Sequence, residues 1–271
     1  MNFSRDRIEQ AKADMAKPFS WTRYATYAAI LVVIAITWIA SQEVEFSFTK
    51  LRDGAPYMLD FLRRMFPPDT SILDRVFTET LQTIALAWVA TIIATALSFP
   101  IAFFAAQNIF ESKLLRRFTI FLLNTDRAID SLILALFFVS AVGLGPFAGT
   151  LALAIHSVGM LGKLFADAIE AIDKGPVEAL ESAGAGKLAI IRWAVWPQVA
   201  PLFISYFLFR FELNVRVAVV LGIVGAGGIG FLLTQYMRLF QYQKVCTLVL
   251  VILALVMFID AVSSRLRRSV T

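Results

Sequence analysis

The chain has 271 residues, 59% of them hydrophobic and only 17% charged, with a mean hydropathy of +0.73. A soluble domain of this size carries more charge and fewer unbroken apolar runs, so the composition argues against a water-soluble enzyme or binding module. The formal charge of +5 comes from Lys and Arg placed mostly at the ends of apolar runs, a pattern of membrane topology rather than of a nucleic-acid surface.

Along the chain, about six apolar stretches approach the length that a bilayer span requires, roughly 17–25 residues. The first covers residues 24–40 and reads as a retained span, since no small-residue cleavage site follows it. Residues 41–78 are more polar and contain Arg63, Arg64, Pro67 and Pro68; their leucines and phenylalanines suit pieces lying along a membrane surface. A second span is expected over residues 80–106, kinked near one end by Pro100. A third is expected over residues 118–142, with Asp126, Arg127 and Asp130 breaking its first half. The turn Gly143-Leu144-Gly145-Pro146 then leads to a fourth over 147–166, and the fifth and sixth follow at 201–224 and 245–262. No internal repeat is evident, which disfavours an inverted-repeat carrier.

Between the fourth and fifth spans lies a polar, helix-forming insert, residues 174–197. Pro176 has the place of a helix N1 residue, and Glu178 falls in the positive first turn. Gly184 and Gly186 interrupt this helix, and a second short one runs into Pro197. A piece of this kind belongs in water and is suited to touching another protein. With the N-terminus inside, fourteen Lys and Arg residues fall on the cytoplasmic side and seven outside. That bias predicts an N-in, C-in arrangement with the insert in the cytoplasm. The expected fold is thus all-α and integral to the membrane. Its divisions are residues 1–78 for the tail, first span and outer segment, 79–264 for the transmembrane domain, and 265–271 for a cytoplasmic tail.

Glu178-Ala179, Gly184 and Pro197 stand at the spacing of the EAA loop of ABC importer permeases, E-A-A, three residues, G, nine residues, I-x-L-P. The chain departs from that pattern at Leu180, Ala194 and Trp196. The order of elements is similar to the methionine-importer class, with a five-helix core preceded by an extra N-terminal helix. A longer resemblance, to the permeases of phosphonate importers, runs through Arg127-Ala128-Ile129-Asp130, residues 143–149 and 156–164, Arg210–Arg216 and residues 221–230. It implies a homodimeric inner-membrane permease with two ATP-binding cassette subunits and a substrate-binding protein. The implied cargo is a phosphonate or a related phosphorus oxyanion such as phosphite. Glu178, Ala179, Gly184 and Pro197 would then couple to the ATPase.

The remaining chemistry is read beside that resemblance. No G-x-x-x-x-G-K-[ST] occurs, so ATP and its Mg ion belong to a partner and the chain itself is expected to need no cofactor and to catalyse nothing. Gly225, Gly227 and Gly230 fit G-x-G-x-x-G, but no βαβ pattern surrounds them. Together with Gly228 they read as a bend, gate or close helix contact at the outer end of the fifth span. Glu212 and Arg216 are spaced to pair on a helix, with Arg210 and Asn214 nearby. They form either a neutralised structural network or an anion-attracting part of the pathway. Arg127 and Asp130 pose the same choice, and His156 is either a packing residue or a pathway lining. A single histidine makes no metal site, and the lone Cys246 makes no disulfide. The rival readings are a permease for another cargo, such as methionine or a different oxyanion, and a stand-alone carrier or channel.

Overall fold

The computed structural model describes residues 21–109 and 112–270. Among these residues there are helices and turns and no strand. They form two compact units that divide between Asp60 and Phe61. The first holds α1 (Trp21–Glu43) and the start of α2 (Phe48–Met65). On α2, Leu51, Ala55, Met58, Leu59 and Leu62 recur at helical spacing opposite a charged face.

The second unit begins with a 3-10 turn, Thr70–Ile72, where the Asp69 side chain accepts the Ser71 N–H at 2.8 Å. Hydrogen bonding from Ser71, first its side chain and then its N–H, holds the Asp69 carboxyl below its usual range by favouring the ionised form. Then follow α3 (Leu73–Ala105), α4 (Lys113–Ala128), α5 (Ser131–Val142), α6 (Pro146–Glu170), α7 (Gly175–Ser182) and α8 (Lys187–Ile190). A π-helical turn at Ile191–Val195 joins α8 to α9 (Trp196–Ile223), and α10 (Gly228–Arg238) and α11 (Tyr242–Val270) complete the chain. Among the described residues, five helical runs are long and apolar enough to cross a membrane: Tyr24–Glu43, Thr70–Ala105, Pro146–Glu170, Lys187–Arg238 and Tyr242–Ser269.

One expectation changes. The single span foreseen over 118–142 is two helices, because Asp130 caps a new N-terminus by accepting the Leu132 N–H at 2.8 Å. A carboxylate placed to satisfy a fresh helix start competes with continuation of the old helix. Residues 265–270, within the expected cytoplasmic tail, form the last turns of α11. Pro100 lies inside α3, which continues five residues past it.

Close packing of small residues joins α3 to α6. Ala87 and Ala90 on one and Ala152 on the other are buried in one cluster, so the backbones approach closely. Ser98 donates to the Val158 carbonyl across this contact at 3.2 Å. Deeper toward one end, Phe165 stacks on Phe203 with ring centroids 4.0 Å apart and ties α6 to α9.

The unit has two distinct ends. At one, Asn108 donates to the Ile169 carbonyl at 2.6 Å and the Gln107 N–H donates to Glu170 at 2.9 Å. Arg116 reaches Glu170 there at 3.9 Å, and Lys174 and Lys187 line the same cleft as Asn108. At the other, Asp69 meets Gln243 and Thr247, and the Gly145 N–H donates to the Gly225 carbonyl at 2.9 Å. Here α9 stops in a Schellman turn. The Ala226 N–H reaches back to Leu221, the Gly225 N–H to Gly222, and Gly225 has φ +93. The chain then doubles back as α10, whose Gly230 lies against the Val219 carbonyl with no room for a Cβ.

Candidate functional site

The insert at 174–197 is built as its punctuation suggests. Pro176 stands in the first turn of α7, where its missing N–H leaves no bond unmade. Asp173 accepts the Gly175 N–H at 3.0 Å and secures that start. The helix ends in a second Schellman turn: the Ala185 N–H donates to Leu180 and the Gly184 N–H to Glu181, at 3.0 and 2.9 Å. Gly184 takes φ +76, which L side chains rarely adopt. Glu178 and Ala179 are exposed on α7.

Pro197 enters the first turn of α9 just after the π turn, whose wider winding sends the Trp196 N–H to Ile191. A proline cannot donate and its ring crowds the preceding turn, so a local π insertion relieves the conflict. Gln198 follows and locks the loop. Its Oε1 accepts the Asp173 N–H at 2.9 Å, and its Nε2 donates to Ala194 at 2.8 Å and to the Asp173 carbonyl at 3.3 Å. The two short helices border an open cleft of about 440 Å³ lined by Ile172, Val177, Glu178, Glu181, Lys187 and Leu188, among others. The loop is thereby held as a ledge with an apolar floor and charged edges.

A second polar group lies within the bundle. Asn214, fully buried, donates to Thr91 at 2.9 Å and Ser157 at 3.1 Å. Arg210, 4% exposed, donates through Nε to Ser157 at 2.8 Å and through Nη1 to the Met160 sulfur at 3.0 Å; its Nη2 is buried without a partner. Asp126 accepts the Gly159 N–H at 2.6 Å, joining α4 to α6. His156 is half-buried on α6, with Nδ1 unpaired. Asp130 serves as the cap of α5, and Arg127 is exposed in the last turn of α4.

Farther around α9, Arg216 pairs with Glu212 at 2.9 Å and with Asp260 of α11 at 2.6 Å. Arg267 of α11 closes the chain on Glu212 at 3.0 Å. Charge in hydrocarbon costs at least about 2.5 kcal/mol per residue, so four mutually paired charges on two spans mark a place that does not face lipid tails unaided. Sequence reasoning named Glu212 and Arg216 but missed Asp260 and Arg267. Asp260 carried a readable signal, being the first charge after the uncharged run 245–259. The glycines 225, 227, 228 and 230 are not part of this group. They shape the α9–α10 reversal, where the Gly228 N–H donates to Gln82 at 2.8 Å.

A bundle of membrane-length helices, with a helical ledge at one end and paired charges within its spans, suits a membrane transport subunit. The chain belongs to the family of binding-protein-dependent transport system inner membrane components, whose pattern matches residues 75–271. It is accordingly a multi-pass permease of the inner membrane. It is similar to HtxC of Stutzerimonas stutzeri, a provisionally named phosphite transport system permease protein, at 42% identity over 96% of this chain and 90% of that one. The phosphite transport system permease protein PtxC of the same organism is 40% identical, covering 92% of this chain and 90% of its own length. Among solved structures, the inward-facing MetNI methionine ABC transporter superposes with a TM-score of 0.66 at 20% identity, over 75% of this chain and 99% of that one. That likeness bears on the fold: this is the type I importer permease fold.

Proposed function

We propose that the chain is the permease of an ABC importer that moves phosphite, phosphonate or a related phosphorus oxyanion inward, driven by ATP hydrolysed on a separate subunit. The observation that carries the coupling half is the ledge of residues 173–198. Its exposed α7 is held by the Gly184 turn and the Gln198 clamp, which leaves Glu178 and Ala179 open to a partner. The cargo half is supported by relatives named for phosphite transport.

In this reading two copies of the chain assemble with two ATPases beneath the basic end and a binding protein at the opposite end. Glu178, Ala179, Gly184 and Pro197 form or support the ATPase contact. Closure of the ATPases on ATP, rather than the permease alone, supplies the free-energy difference between inward-open and outward-open states. ATP and Mg sit on the partner, and no cofactor is held here. The test is reconstitution with the cognate ATPase and binding protein in vesicles. ATP-dependent uptake of phosphite or a phosphonate is expected, and uptake that persists without the ATPase would instead establish a carrier or channel.

A further inference from the structure

No charged residue stands between Arg192 and Arg210, between Arg216 and Arg238, or between Lys244 and Asp260. Arg216 therefore lies inside its span, and Asp260 lies toward the C-terminal end of its own, five residues before Arg265. At 1.5 Å per residue, Arg216 is about 10 Å of helix from Ile223 at the end of α9, and Asp260 about 27 Å from Tyr242 at the start of α11. Yet their side chains are 43% and 39% exposed. Arg216 makes all its hydrogen bonds to described residues through Nη2, to Glu212 and to both oxygens of Asp260. Its Nε and Nη1 hydrogens are left without a protein acceptor among those residues. Lipid tails offer none either, so an open guanidinium at this depth calls for water or an anion.

We propose that the face of α9 carrying Arg216, Val220 and Ile223 lines the aqueous route through the transporter, and that Arg216 holds the anionic group of the cargo in passage. These three residues share one face at i, i+4 and i+7, and all are exposed. The nature of the anion rests on the cargo reading above, whereas the position of the route does not. Charge balance sets the strength of the hold. Arg216 and Arg267 oppose Glu212 and Asp260, so the group as a whole is neutral. A lone arginine away from bulk water would trap an oxyanion. Flanking carboxylates compete with the cargo and keep the site shallow, as conduction requires: favourable enough to enter, weak enough to leave.

The test uses the assembled transporter in membrane vesicles, with Cys246→Ala removing the native thiol. Val220→Cys is then treated with anionic and cationic water-soluble methanethiosulfonates. Phe258→Cys, on the side of α11 turned away from Asp260, is the comparison position. Val220→Cys should react and Phe258→Cys should not. The anionic-to-cationic rate ratio at Val220→Cys should fall about tenfold with Arg216→Gln and recover with Arg216→Lys. An unreactive Val220→Cys, equal reaction at Phe258→Cys, or a ratio indifferent to Arg216→Gln overturns the proposal. If Arg216→Gln fails to assemble, Asp260→Asn replaces it: loss of a competing carboxylate should raise the ratio, and no rise overturns the proposal. Should the labelling pattern hold while the vesicles move neither phosphite nor a phosphonate, the cargo reading alone fails.

Discussion

Gly159 shows how one residue can hold two helices at a fixed distance. A Cβ there would run into the Asp126 carboxylate and lie 2.8 Å from the Leu123 carbonyl, so α4 could not keep its seat on α6. Gly159→Ala should cost about 1–3 kcal/mol, the usual penalty for overpacking, read as a lower midpoint of thermal unfolding in detergent. Phe240 presents the opposite case. It takes φ +55 at the end of α10, in a Schellman turn with Gln241 N–H bonded to Tyr236, and its side chain is exposed. Left-handed backbone costs a bulky residue more than glycine loses in chain entropy. Phe240→Gly should therefore stabilise the fold by about 0.5–1 kcal/mol; an unchanged or lower midpoint would mean that the ring contact with Tyr242 outweighs the backbone strain. None of these effects is visible in the residues themselves, since a Gly in a span reads only as small.

At the scale of elements, the ledge at 173–198 was largely legible. Pro176, Gly184, Gly186 and Pro197 act on the backbone within a turn of themselves, so their consequences are local. The structure added Gln198, whose clamp on Asp173 spans 25 residues, and the π turn ahead of Pro197. Gly184→Leu should leave the chain inserted, because a Cβ there meets nothing within 4 Å. The cost falls on the backbone, and stimulation of the ATPase by loaded binding protein should drop; unchanged stimulation would detach Gly184 from coupling. Gln198→Leu should act in the same direction, by freeing α7 from the start of α9. A normal ratio of ATP hydrolysed to cargo moved in that variant would show that the clamp is dispensable.

For the whole molecule, the matched family region, residues 75–271, lies within the second compact unit, which holds both the ledge and the paired charges. The proposed assembly predicts that a tagged ATPase from the same system brings this chain down in detergent. Failure of that capture, with both proteins present in the membrane, would sink the importer reading for this chain. Docking of a binding protein is expected at the opposite end, where the α9–α10 reversal and the start of α11 meet Asp69 and Gly145.

The sequence by itself determined the all-helical membrane class, the polar ledge between two spans and the residues that punctuate it. Apolar length and the φ demands of Pro and Gly are written within single stretches of chain. It also supplied the i,i+4 pairing of Glu212 with Arg216, which needs only one helix. Only the tertiary structure decided that Asp126 docks on Gly159 and that Arg216 meets Asp260 across 44 residues. Such contacts depend on the register and rotation of one helix against another, which packing sets and local spacing does not encode. The ledge was thus readable as a polar helical insert from its punctuation, while its coupling role is what the EAA-loop resemblance implies. The charged face of α9 became a candidate route only once α11 was seen beside it.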